Sequence, residues 1–136
     1  MKKIPSQVIN SYIQSKWSFL PLLIWMGVIF FFSSQGRVSI DDSPLISFIF
    51  FKTLHLIEYC ILYLLARVAF FHLSQSERLA FIFSLIYAIS DEVHQGFIAT
   101  RDGNPRDVFI DLIGISIGLI IFKSLQKKFD FLNKNY

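Results

Sequence analysis

Residues 17–32 read WSFLPLLIWMGVIFFF, and this stretch contains no charged side chain. The run is slightly shorter than the ~20 apolar residues that carry an α-helix across a bilayer. The next two residues, Ser33 and Ser34, can extend the helix before Gly36 ends it. The stretch therefore predicts a membrane-spanning helix near residues 17–35.

Three further apolar stretches predict membrane helices near residues 46–71, 79–98 and 107–123. Their acidic residues and histidines gather toward one end of each stretch, whereas a soluble amphipathic helix has polar residues at every turn. The 136-residue chain is 54% hydrophobic and 17% charged, with a mean hydropathy of +0.53, which excludes a disordered protein. Its single cysteine, Cys60, excludes a disulfide framework. We predict an all-α membrane protein with four transmembrane helices in a compact bundle.

The basic residues predict the orientation of this bundle. Most of the 13 lysines and arginines precede the first span, flank the loop between the second and third, or follow the fourth. The positive-inside rule then places both termini in the cytoplasm. Residues 1–16 form a cytoplasmic or interfacial N-terminal segment, residues 17–123 the membrane domain and residues 124–136 a basic cytoplasmic tail. A cleaved signal peptide is the alternative for the first span, but Lys2 and Lys3 lie far from the apolar run and no A-x-A-like site follows it.

With this orientation, polar residues from four helices lie at a similar depth in the outer half of the membrane. Each of the last three helices presents them on one face at 100° per residue. Gly114 and Gly118 continue the acidic face of the fourth helix and let a neighbouring backbone approach closely. Charged groups in hydrocarbon normally mark function, and a purely structural network of ion pairs is the alternative. The converging residues are Gln35, Lys52, His55, Glu58, Tyr59, Asp91, Glu92, Gln95, Arg101, Asp107 and Asp111.

The order of these residues resembles a known family. The VanZ-like family of small bacterial membrane proteins has similar motifs, which here read Gln35, Lys52-x-x-His55-x-x-Glu58-Tyr59, Asp91-Glu92-x-x-Gln95-x-Phe97, Arg101, Asp107 and the Gly114/Gly118 helix. The resemblance covers about residues 30–118, and Asp111 stands where many members have asparagine. It implies a multi-pass protein of the bacterial cytoplasmic membrane that is linked to resistance against lipoglycopeptide antibiotics, teicoplanin in particular.

The first functional hypothesis is an enzyme that acts on an envelope lipid or a lipid-linked precursor. His55 and Glu58 are about one helical turn apart, which suits a general base and the group that orients it. Lys52 and Arg101 can hold a phosphate or carboxylate head group. The predicted catalytic residues are His55, Glu58, Asp91 and Glu92, and the predicted substrate-binding residues are Gln35, Lys52, Tyr59, Gln95, Arg101, Asp107 and Asp111.

Other functions use the same residues differently. In binding without turnover, the bundle holds a lipid head group, an acyl chain or the antibiotic itself. A metal site is disfavoured because His55-x-x-Glu58 has the opposite order to the di-iron motif of helical bundles, so no metal or cofactor is predicted. A transporter is disfavoured because the inner half lacks polar residues. A nucleic-acid partner is disfavoured because the net charge of +3 is dispersed along the chain.

Overall fold

The computed structural model describes residues 16–36, 43–98, 101 and 103–134. A 3₁₀ turn, Lys16–Phe19, leads into the first α-helix. No strand occurs in the described ranges, which confirms the predicted all-α class. The predicted N-terminal segment lies outside the described residues except for residue 16. The α-helices are α1 (Leu20–Ser33), α2 (Pro44–Ala69), α3 (Ser76–Gln95) and α4 (Pro105–Lys134).

Proline positions and the absence of helix breakers explain where these helices begin and end. Pro44 and Pro105 open α2 and α4, where the amide hydrogen that proline lacks has no intrahelical partner. Helix α4 continues to Lys134, past the end of the predicted membrane span near residue 123, because the residues that follow include good helix formers and no glycine or proline. The described part of the predicted tail is therefore a helical extension. Between α2 and α3, Gln75 turns the chain with a φ of 59°.

Helices α2 and α4 form the most extensive pair in the bundle. A Cβ atom added at Gly114 would overlap the backbone of Leu56, and one at Gly118 would lie 2.8 Å from the carbonyl oxygen of Cys60. The two helices run parallel, since the later residue of α4 meets the later residue of α2. Only glycine permits this approach, so the predicted close contact on the glycine face of α4 is confirmed.

Helix α3 packs through a stripe of small residues. Ser76, Ala80, Ser84 and Ala88 recur every four residues and are buried. Such a stripe lets neighbouring helices approach closely. The four-residue spacing of these small residues is visible in the sequence, but the sequence analysis did not predict this packing face. The remaining buried apolar residues of the core are Leu22, Ile29, Tyr59, Leu62, Tyr63, Ala66, Ala69 and Ile115.

Two helices within the described residues are long and apolar enough to cross a membrane, Leu45–Ala69 and Pro105–Phe131. The apolar helical stretch Trp17–Ser33 is shorter. At 1.5 Å per residue, the 14 residues of α1 reach only about 21 Å of the ~30 Å of hydrocarbon. Helix α3 is less apolar because it contains four charged residues. The crossings predicted near residues 17–35 and 79–98 stay predictions.

Candidate functional site

The predicted site residues lie where the C-terminal ends of α1 and α3 meet the N-terminal halves of α2 and α4. Direct contacts link most of them in two sets. The α1–α3 group consists of Ser33, Asp91, Gln95 and Arg101. The α2–α4 group consists of Lys52, His55, Asp107 and Asp111.

Asp91 is the centre of the α1–α3 group. Its Oδ2 atom accepts hydrogen bonds from Ser33 Oγ at 2.9 Å and from Gln95 Nε2 at 2.8 Å. Gln95 follows Asp91 by four residues, so both side chains lie on one face of α3. All three residues are buried. The neighbouring helix and the next turn of α3 therefore hydrogen-bond this buried carboxylate, as buried polar groups require.

Arg101 closes the α1–α3 group from the loop between α3 and α4. Its Nη1 atom donates to Gln95 Oε1 at 3.1 Å. Its Nε and Nη2 atoms donate to the main-chain carbonyls of Gln35 and Phe32, at 2.9 Å and 3.0 Å. These carbonyls lie at the C-terminal end of α1, where the helix dipole favours a cation, and Phe32 O also accepts from the main-chain nitrogen of Gln35 at 3.2 Å. The guanidinium therefore caps α1 and orients Gln95 toward Asp91.

Two contacts join the polar face of α2 to the acidic face of α4. Lys52 Nζ forms an ion pair with Asp107 Oδ1. One turn later, His55 Nδ1 lies 3.1 Å from Asp111 Oδ1. Asp111 is fully buried, and Asp107 is nearly so. The parallel arrangement of the helices explains why residues three apart on α2 meet residues four apart on α4.

Two buried carboxylate oxygens at this end have no hydrogen-bond partner among the described residues, Glu92 Oε1 and Asp111 Oδ2. The other oxygen of Glu92, Oε2, accepts a hydrogen bond from the main-chain nitrogen of Asn104 at 2.9 Å. One nitrogen or oxygen atom from each of His55, Glu92 and Asp111 lies within 4.8 Å of the other two. These three residues come from three helices, and they are the side chains here that can hold a cation.

An open cavity of about 270 Å³ lies beside these groups. Its lining is amphiphilic, because aromatic and aliphatic side chains alternate with charged and amide groups. Glu58 contributes its carboxylate, which makes no hydrogen bond or ion pair with the described residues. The lining residues are Phe32, Ser33, Gln35, Gly36, Phe51, Leu54, His55, Glu58 and Arg101.

Two of the predicted catalytic residues line the cavity, and the other two are buried beside it. His55 and Glu58 line the cavity. Asp91 and Glu92 are not among its lining residues and are buried, at 4% and 6% exposure. Ser33, which links Asp91 to α1 by its hydrogen bond, does line the cavity and was predicted only as an extension of the first helix.

The predicted substrate-binding residues are also divided. Gln35 and Arg101 line the cavity, and Lys52 lies in its ion pair on α2. Tyr59 is fully buried and stacks on His55 with ring centroids 6.4 Å apart. The Tyr59 hydroxyl has no hydrogen-bond partner within the described part of the chain. Tyr59 therefore supports the histidine ring from the side of the core.

Two contacts at this end had no counterpart in the predicted site. Asn104 acts on Glu92 through its main-chain nitrogen, so no side-chain pattern could reveal it. His94 stacks on Phe30 at 4.6 Å and lies 3.1 Å from Ser34 Oγ, which joins the ends of α1 and α3. A serine at the predicted end of the first helix was the available signal for this junction.

Comparison with known proteins identifies a family. A protein-family model described as VanZ/LLP1 matches residues 18–126, which is most of the chain. The matched range includes all of the α1–α3 group and the α2–α4 group. No curated protein and no solved structure matches the chain.

Proposed function

The chain belongs to the VanZ/LLP1 family, and from that premise we propose that it is a multi-pass protein of the bacterial cytoplasmic membrane. In this proposal four helices cross, and both termini lie in the cytoplasm. Two helices have the length and hydropathy to cross. Every helix also exposes large apolar side chains that suit contact with lipid, including Phe31, Phe48, Ile86 and Ile120.

The shorter first crossing is consistent with this arrangement. The 3₁₀ turn of 4 residues and the 14 residues of α1 together reach about 29 Å, at 2.0 and 1.5 Å per residue. That length is close to the ~30 Å of the hydrocarbon core. The proposed orientation places the ends with Arg101 and Asp107 outside, because most basic residues lie toward the other end.

We propose that the cavity holds the junction between the polar head and the apolar chain of a lipid-linked or amphiphilic envelope molecule at the outer leaflet. The observation that carries this proposal is the mixed lining of the cavity. Phe51 and Leu54 suit an acyl or prenyl chain, whereas Arg101 suits a phosphate or carboxylate. Teicoplanin is an amphiphile of this kind, which connects the cavity to the resistance that the family is known for.

Action on the bound molecule is proposed to use acid–base chemistry. His55 is held at Nδ1 by Asp111 and stacked on Tyr59, so its ring orientation is fixed. The Glu58 carboxylate lines the same cavity without a hydrogen bond or ion pair to the described residues. An oriented imidazole and an unengaged carboxylate on one helix are a suitable general base and acid.

A second candidate function is binding without turnover. The hydrogen bonds of the α1–α3 group favour it, because Asp91 accepts from Ser33 and Gln95 while Arg101 is held by three acceptors. Side chains held in this way form a rigid wall rather than groups free to exchange protons. In this case the carboxylates and the histidine only shape the binding cavity.

The experiment compares teicoplanin and vancomycin inhibition of a susceptible Gram-positive host that expresses the protein. Leu54→Trp fills the cavity, and its control is Ile57→Trp, because Ile57 is 45% exposed on the same helix and does not line the cavity. Glu58→Gln removes the titratable group, and Glu77→Gln is the same change at an exposed position. Membrane levels of all variants are matched by immunoblot.

The expected result is protection against teicoplanin that Leu54→Trp abolishes and Ile57→Trp retains. Loss of protection in Glu58→Gln, with Glu77→Gln unaffected, supports catalysis, whereas protection retained in Glu58→Gln supports binding without turnover. Equal protection in Leu54→Trp and Ile57→Trp would refute a role for the cavity. If the wild-type protein protects against neither drug, the proposed link to antibiotic resistance would be wrong for this protein.

A further inference from the structure

We propose that His55, Glu92 and Asp111 bind a divalent transition-metal ion at the junction of α2, α3 and α4. The proposal does not depend on the identity of the molecule in the cavity. If His55 binds the ion through Nδ1, its Nε2 keeps the proton, so the general base proposed above would be Glu58 rather than His55. Each ligand comes from a different helix, so no spacing within one helix could indicate the set. The fold brings Glu92 to the His55–Asp111 pair, and this changes the sequence-based expectation that no metal is bound.

The distances suit a metal ion with modest adjustment. His55 Nδ1 and Asp111 Oδ1 are 3.1 Å apart. Two ligands at about 2.1 Å from a tetrahedral zinc ion lie roughly 3.4 Å from each other. The donor atoms of all three residues lie within 4.8 Å of one another, so the Glu92 carboxylate has to approach by at most about 1.4 Å. Its unpartnered Oε1 atom is free to make that movement.

The unpartnered oxygens are suited to bind a cation. Glu92 Oε1 and Asp111 Oδ2 are buried without hydrogen bonds among the described residues, in side chains that are 6% and 0% exposed. Buried carboxylate oxygens are normally paired, hydrogen-bonded or bound to a metal. With a neutral imidazole, a divalent cation would balance the charges of Glu92 and Asp111.

The neighbouring carboxylates do not compete for this role. Asp91 already accepts hydrogen bonds from Ser33 and Gln95, and Asp107 is paired with Lys52. Glu58 also lacks a partner, but it lines the open cavity, so buried carboxylate oxygens without a partner occur among the described residues only in Glu92 and Asp111. This selectivity distinguishes the three residues from a general accumulation of acidic side chains.

The donor atoms define the class of ion. One imidazole nitrogen and two carboxylates suit Zn²⁺ and Mn²⁺, whereas Mg²⁺ and Ca²⁺ prefer oxygen donors alone. Three protein ligands leave at least one coordination position for water or for a bound molecule. Because His55 also lines the cavity, that position is within reach of a molecule bound there.

The test uses full-length protein in detergent, stripped with a chelator and titrated with MnCl₂. Free Mn²⁺ is followed by its electron paramagnetic resonance signal, and ZnCl₂, MgCl₂ and CaCl₂ are added as competitors. We expect one saturable Mn²⁺ site that ZnCl₂ displaces and that MgCl₂ and CaCl₂ do not. Pulsed resonance on bound Mn²⁺ is expected to show coupling to one imidazole nitrogen. This measurement needs no variant, so it stands if a substitution prevents folding.

Variants identify the ligands. Asp111→Asn and Glu92→Gln are expected to weaken Mn²⁺ binding by at least about tenfold, and His55→Gln is expected to abolish the nitrogen coupling. Glu77→Gln, the matched change near the opposite end of α3, is expected to bind like the wild type. No saturable Mn²⁺ or Zn²⁺ site in the wild type would overturn the proposal. Wild-type affinity in both Asp111→Asn and Glu92→Gln would overturn it as well.

Discussion

Substituting Gly114 with alanine tests the closest approach in the bundle. The added Cβ atom would lie 3.1 Å from the carbonyl carbon of Leu56 and nearer still to its oxygen. Ordinary contacts are about 3.5–4.0 Å, and a backbone carbonyl cannot rotate away as a side chain can. Helices α2 and α4 would therefore have to separate, at an overpacking cost of about 3 kcal/mol. The better helix propensity of alanine returns about 1 kcal/mol.

The net expectation is a loss of about 2 kcal/mol in the free energy of unfolding. Gly27→Ala is the matched control, because a Cβ atom at Gly27 meets nothing within 4 Å. That variant keeps only the propensity gain of about 1 kcal/mol, so the two variants should differ by about 3 kcal/mol. Reversible unfolding in mixed micelles, followed by circular dichroism, measures the difference. Equal stabilities of the two variants would refute the close pairing of α2 with α4.

Three further predictions use the same unfolding assay. Tyr87→Phe removes the hydroxyl that donates to the Met26 carbonyl at 2.7 Å, and it should cost about 1 kcal/mol; no loss would show that water replaces this bond. Lys52→Met leaves Asp107 buried without its partner and should cost about 2–3 kcal/mol, whereas the double variant that also changes Asp107 to Leu should recover most of that loss. Lys123→Gln breaks an exposed ion pair and should change stability by less than about 1 kcal/mol; a larger effect would mean that the pair is shielded from solvent.

The helical class of this protein follows from sequence, but the helix ends follow only in part. Apolar runs locate each helix because apolar residues must leave water together, and Pro44 and Pro105 refine two of the starts. Helix α4 extends beyond the apolar run because hydropathy falls after residue 122 while helix propensity does not. Hydropathy depends on the side chains that leave water, whereas helix propensity depends on the backbone, so the two signals separate where the apolar run ends.

The contacts of the site also follow from the sequence only in part. Pairs on one helix, such as Asp91 and Gln95, follow from a period of 3.6 residues. The glycine face of α4 indicates that some helix approaches closely, yet only the fold shows that the partner is α2. The contact between Glu92 and the main chain of Asn104 depends on loop geometry, which side-chain patterns do not encode.

Some buried carboxylates at this end are hydrogen-bonded within the protein and others have an unpartnered oxygen, so we expect substitutions of the two kinds to have different effects. Asp91 accepts two hydrogen bonds within the protein, both at Oδ2. We therefore expect an asparagine, which keeps one accepting oxygen, to preserve most of the contacts between α1 and α3. Glu92 and Asp111 each bury an oxygen with no partner in the described ranges. Burying such an oxygen costs free energy unless another group binds it. Carboxylates buried in this way contribute little to the stability of the fold, so apolar replacements of similar size should leave stability unchanged or raise it, whereas carboxylates that hold the helices together should lose stability on replacement. Unchanged or raised stability of the doubly substituted Glu92→Met, Asp111→Leu protein, together with lost Mn²⁺ binding, would therefore show that these two carboxylates serve a ligand rather than the fold.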